Sequence, residues 1–184
     1  MGKRFQIITN TEGRIKVYHC QWLWGDYAIR RLGTAVRNFM LYNKDSYRPF
    51  EDFLKGSFYG KFNDMNSFDR YLNYDADCFD DNKWIVGKKK FAYLDKFLEK
   101  LDNNDEYFYI EFEEAGINHN EKKGIKGYCF MQDRDNLKPI SAIDYMKANK
   151  EHDDFTKKQK KEYQDGLKTF EKLRLIEPIR RVKT

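Results

Sequence analysis

Arg4-Phe-Gln-Ile-Ile-Thr-Asn-Thr-Glu-Gly-Arg-Ile-Lys-Val-Tyr-His-Cys20 reads as two strands and a turn. Phe5, Ile7 and Ile8 give the first half strand character, and Asn10-Thr11-Glu12-Gly13 is turn chemistry. Arg14 to Cys20 then alternates, with Ile15, Val17 and His19 on one face and Arg14, Lys16, Tyr18 and Cys20 on the other. A β-hairpin is expected. Gln21 to Gly25 is a short aromatic connection carrying Trp22 and Trp24. Asp26 is placed to cap a helix over 27–42, whose apolar stripe is Ile29, Leu32, Val36 and Phe39. Gly33 lies inside that helix, where glycine costs about 1 kcal/mol relative to alanine. A close packing partner, such as the hairpin, would account for it.

Further along, Pro49 opens a short helix through Leu54, and Met65, Phe68, Tyr71 and Leu72 predict another over 63–74. Trp84 to Val86 suggests a short strand, and Phe91, Leu94, Phe97, Leu98 and Leu101 predict a helix. Glu106 to Glu113 alternates again, and Ile125 to Met131 is its returning strand after a long polar loop. Ser141 caps a short helix to Asn149. Asp153 or Asp154 caps a last one to Leu175, with Phe155, Tyr163, Leu167, Phe170 and Leu173 inward. The expected fold is α+β: a small antiparallel sheet of two β-hairpins packed with about five helices. At 184 residues, one domain spanning the chain is the expectation.

Composition narrows the function. Aromatic residues make up 17% of the chain, enough apolar area for a core, which argues against disorder. No stretch approaches the ~18–20 apolar residues of a membrane span, and the first ten residues lack a signal-peptide pattern. Gln6 breaks the myristoylation pattern that Met1-Gly2 begins. Cys20, Cys78 and Cys129 are odd in number and widely spaced, which points to free thiols in a reducing cytoplasm.

The net charge of +5 is unevenly spread. Residues 1–60 hold 10 basic and 5 acidic side chains, residues 61–118 hold 8 and 14, and residues 119–184 hold 17 and 11. Two basic ends flank an acidic middle, a pattern suited to a charged partner such as a nucleic acid or a ribonucleoprotein.

Standard catalytic motifs are missing: the chain has no phosphate-cradling Gly-rich loop, GxSxG or HExxH. The acidic run Asp75 to Asp81 lacks the glycine and distal glutamate of a calcium loop and reads as a solvated loop. His119 and His152 sit in polar surroundings that need no metal. Neither a metal nor a cofactor is expected.

Tyr18 to Arg37 gathers the densest chemistry. A metal-independent ribonuclease needs a proton acceptor, a proton donor and cations; His19, Tyr18 and Asp26 with the arginines supply the types. Trp22, Trp24 and Tyr27 could stack on unpaired bases while Arg4, Arg30, Arg31 and Arg37 hold phosphates. The stronger reading of the same residues is packing and solvated surface: Trp22 and Trp24 in the core, His19 satisfied inside and the arginines solvated. Arg30, Arg37 and Lys44 repeat every seven positions, which predicts an exposed basic stripe widened by Arg31. The last helix adds Lys157, Lys158, Lys160 and Lys161, and the tail adds Arg180, Arg181 and Lys183.

Met1-Gly2-x-Arg4, the hairpin, and Tyr18-His19-x-Gln21-Trp22-x-Trp24-Gly25 leading into a glycine-containing helix resemble small accessory proteins of phages and mobile elements of Gram-positive bacteria. Among these are the type II anti-CRISPR proteins, inhibitors of Cas9. The resemblance covers about the first forty residues. It implies a cytoplasmic inhibitor, acting in a bacterial host cell on Cas9 and its guide RNA by blocking loading or leading to guide truncation. DNA mimics in that group are acidic; this chain is basic overall, which favours contact with RNA. A nucleic-acid-binding accessory protein and a small ribonuclease remain the alternatives, so enzymatic activity is left open. No small-molecule substrate is evident.

Overall fold

Among the described residues, strand β1 (Arg4–Thr11) is the middle strand of a five-stranded sheet. It pairs antiparallel with β2 (Arg14–Gln21), Ile7 opposite Tyr18. On its other side it pairs parallel with β4 (Glu106–Phe112), Ile7 opposite Phe108. The two-residue β3 (Asn73–Tyr74) extends the sheet beyond β2, and β5 (Ile125–Gln132) pairs antiparallel with β4. In the computed structural model the described residues are 4–11, 14–21, 23–42, 48–59, 73–74, 106–113, 124–132, 137–149 and 154–178.

The fold is α+β, but the sheet is mixed, not antiparallel, because β1 and β4 run side by side. The reason is burial. Phe5 to Asn10 are all buried, and so are Glu106 to Ile110, so both strands are covered on both faces. A position covered twice suits the middle of a sheet with a parallel pair.

Four helices stand among the described residues, against about five expected: α1 (Gly25–Tyr42), α2 (Phe50–Tyr59), α3 (Ala142–Lys147) and α4 (Lys157–Glu171). The predicted helix over 63–74 cannot reach its end, since Asn73 and Tyr74 pair with β2. Its remainder, the Trp84 strand, the Phe91 helix, the acidic run and the tail lie outside the described residues.

All four helices contribute to one core. Phe5, Ile7, Tyr18, Phe108, Ile110 and Phe130 of the sheet meet Ile29, Leu32, Val36 and Phe39 of α1. Phe53 and Leu54 of α2, Tyr145 of α3 and Phe170 of α4 complete it. The aromatic content sits here: Phe130 stacks on Tyr145 at 4.5 Å, and Phe170 lies 4.8 Å from Tyr128 and 5.7 Å from Phe108.

Several boundaries moved for local reasons. Helix α1 starts at Gly25, whose φ of 54° is left-handed, so Asp26 lies in the first turn and not at the cap. Helix α4 is capped by Thr156, not by Asp153 or Asp154: its hydroxyl accepts from the Gln159 amide at 3.2 Å, and the Gln159 side chain accepts from the Thr156 amide at 2.9 Å. Helix α4 ends at Glu171, short of the expected Leu175. The segment after it is pulled onto the free edge of β5, where Tyr128 N donates to Arg174 O and Ile176 N donates to Tyr128 O, both at 3.0 Å. Ile140 pairs likewise with Phe130, so the β5 edge is covered.

Candidate functional site

The two basic segments of the sequence, α1 and α4, are brought together by a pair of glycines. A Cβ on Gly33 would run into the backbone of Gly166, and one on Gly166 would lie 2.7 Å from the Ile29 carbonyl oxygen. The close partner expected for Gly33 is therefore α4, not the hairpin. Only residues without side chains let two helix backbones approach this closely.

On one side of this crossing lies Arg30. The basic-stripe reading placed it on an open face; it is 4% exposed. Its Nη1 donates to Glu162 of α4 at 2.9 Å, and its guanidinium carbon lies 5.5 Å from the Tyr27 ring centre and 5.4 Å from that of Phe155. Tyr27 and Phe155 meet edge to face at 4.8 Å. Arg30 Nε and Nη2 have no hydrogen-bond partner among the described residues, and the two rings lie against the group instead. Arg30 is thus a packed link between helices.

Arg31 is not part of a wider patch either. Its Nη1 donates to the Ser57 carbonyl of α2. Burial, followed by repulsion from Arg30, lowers its pKa to about 10.

Arg37 does stay accessible. It is 46% exposed and its Nη1 donates to Asp165 at 3.0 Å. Here the two helices form a groove of about 380 Å³, lined by Gly33, Thr34, Arg37 and Asn38 of α1 and Lys158, Lys161, Glu162, Asp165 and Gly166 of α4. The carboxylates of Glu162 and Asp165 are matched by Arg30 and Arg37. Lys158 and Lys161 make no ion pair among the described residues, so the groove carries excess positive charge. Lys157 and Lys160 are exposed on the same helix but do not line the groove.

The other predicted residues are scattered. Tyr18 is buried on the helix-covered face, its hydroxyl 3.4 Å from Glu51 of α2. His19 pairs in register with Gln6 and Asn73. Asp26 is buried in the first turn of α1, where the helix dipole favours a carboxylate. Trp24 is half-buried, and its carbonyl accepts from Ala28 N at 3.3 Å. Arg4 begins β1 opposite Gln21. Trp22 lies outside the described residues.

Two buried polar clusters were not foreseen. Tyr145 of α3 donates to Glu106 and accepts from Gly25 N at 2.8 Å, with Gln132 3.4 Å from the same carboxylate. This ties the start of α1 to the sheet. On the opposite sheet face Asn10 donates to the Tyr109 hydroxyl at 2.8 Å, and that hydroxyl donates to Glu111 at 2.8 Å. Burial pushes the Tyr109 hydroxyl far above its ordinary pKa, so it stays protonated. Both clusters satisfy packed core positions. Among the described residues no group of His, Cys, Asp and Glu is placed to hold a metal ion, and no helix is long and apolar enough to cross a membrane.

What sequence reasoning missed in the groove is Thr34, Asn38, Glu162, Asp165 and Gly166. One signal was available: Gly166 interrupts a helical pattern just as Gly33 does. Compared with known proteins, the chain matches no family model, no curated protein and no solved structure.

Proposed function

We propose that the protein binds the phosphate backbone of RNA through the α1–α4 groove. The partner implied by the N-terminal resemblance is the guide RNA of a Cas9 ribonucleoprotein, and the consequence is inhibition of Cas9. The observation that carries the reading is Lys158 and Lys161, with no ion pair among the described residues, beside an accessible Arg37, across a floor built by two glycines. Ammonium groups serve as point charges for phosphate, and the arginine adds a planar fork of donors. The fixed floor holds cations from two helices at one place, which a solvated helix face alone does not do.

Labelled guide RNA, incubated with the protein with and without Cas9, tests this. Binding and loss of Cas9 cleavage are expected. Three phosphate contacts to a single strand give a log–log salt slope of about −2, a loss of about 20-fold in affinity between 50 and 200 mM salt. Affinity that does not change with salt contradicts phosphate contact. Cleavage of free guide RNA contradicts a binding role and favours the ribonuclease reading.

A further inference from the structure

Arg37, the cation that α1 contributes to the groove lining, is already answered by a carboxylate of α4, as is Arg30 outside the lining. Arg30 is buried against Glu162, whereas Arg37 meets Asp165 in the open, with the two side chains 46% and 31% exposed. The two pairs therefore differ in what they permit. Arg30 is enclosed by Tyr27 and Phe155 and is not free to leave its partner. Arg37 and Asp165 are both reachable by a ligand in the groove they line. An exposed ion pair is weak, so another anion can compete for the guanidinium.

We propose that Asp165 is a built-in competitor for the groove's anionic ligand. It occupies Arg37 in the free protein, and a phosphate entering beside Lys158 and Lys161 takes its place. This rests on the phosphate-binding reading of the groove. Asp165 then sets the threshold of binding. Weakly held anions do not displace it, while a polyanion anchored by both lysines does. The carboxylate is separable from the helix, since the Asp165 contribution to α4 is its backbone carbonyl, which accepts from Thr169 Oγ1 at 2.7 Å.

The test measures affinity for a labelled single-stranded RNA at low salt. The proteins are wild type, Asp165→Asn, Arg37→Ala, the double variant and Glu171→Gln, with melting temperatures for each. Glu171 is an exposed acid at the end of α4, outside the groove, so its variant reports a general charge effect. Asp165→Asn is expected to bind about 2- to 5-fold tighter, the size of one exposed ion pair. The gain should vanish in the double variant and be missing from Glu171→Gln. A gain that survives Arg37→Ala, or is matched by Glu171→Gln, or does not occur, overturns the proposal. Wild type that fails to bind RNA at all overturns instead the reading on which it rests.

Discussion

Arg30→Glu is expected to destabilise the protein by about 3–5 kcal/mol, the range for breaking a buried ion pair and leaving a charge uncompensated. The sequence pattern alone suggests the opposite, since a residue seven positions from an exposed arginine would be exposed too. The structure shows why the substitution is damaging. The new carboxylate would face Glu162 in a site only 4% exposed, against the rings of Tyr27 and Phe155. Like charges at that burial repel. For a chain of this length the loss corresponds to roughly 6–20 °C in melting temperature. Arg30→Met keeps the length and apolar stem, and Glu162 is exposed enough to be hydrated, so it should cost about 1 kcal/mol. Thermal melts of the two variants check both values. An Arg30→Glu variant that melts like wild type would show that Arg30 is not buried between the helices.

The second large effect is expected at the helix crossing. A side chain at Gly33 meets the Gly166 backbone, and one at Gly166 meets the Ile29 carbonyl, so neither can be relieved by turning a side chain aside. Gly33→Ala gains about 1 kcal/mol of helix propensity but forces the helices apart, and overpacking of this kind costs about 1–3 kcal/mol or more. Valine at either position should exceed the alanine cost and widen the groove. Gly56 provides the contrast, because it is exposed in α2 and a Cβ there meets nothing within 4 Å. Gly56→Ala should stabilise by about 0.5–1 kcal/mol. Denaturant midpoints for the variants decide the matter: equal behaviour at positions 33 and 56 would contradict the close crossing.

The strands and α1 were legible because their signals are local. Alternation across Arg14 to Cys20 and Glu106 to Phe112, and the Ile29, Leu32, Val36, Phe39 stripe, depend only on the period of each element. Partner choice is not local. Nothing within Arg4 to Thr11 says that its second neighbour is Glu106 to Phe112, about a hundred residues away and parallel. The fate of the arginines was illegible for a related reason. Arg30 and Arg37 share one side of α1, but α4 covers that side only partly, burying the first and leaving the second at the groove. A helical pattern shows which residues share a face; it does not show where a second helix crosses that face. The glycines were the readable hint, each inside a helix and each without local reason. Charge was legible only in outline: Arg37 of the basic N-terminal part and Lys161 of the basic C-terminal part line one groove, but the carboxylates that temper them come from the same α4 stretch.

The groove claim is tested most directly by the double variant Lys158→Glu, Lys161→Glu, measured for guide-RNA affinity across salt and for melting temperature. Both lysines are exposed and make no ion pair among the described residues, so the melting temperature should stay close to that of wild type. Losing two phosphate contacts should flatten the log–log salt slope by about 1.4 and lower affinity at least tenfold at low salt. A variant that folds normally, keeps the wild-type slope and binds the RNA as tightly as wild type would contradict the account.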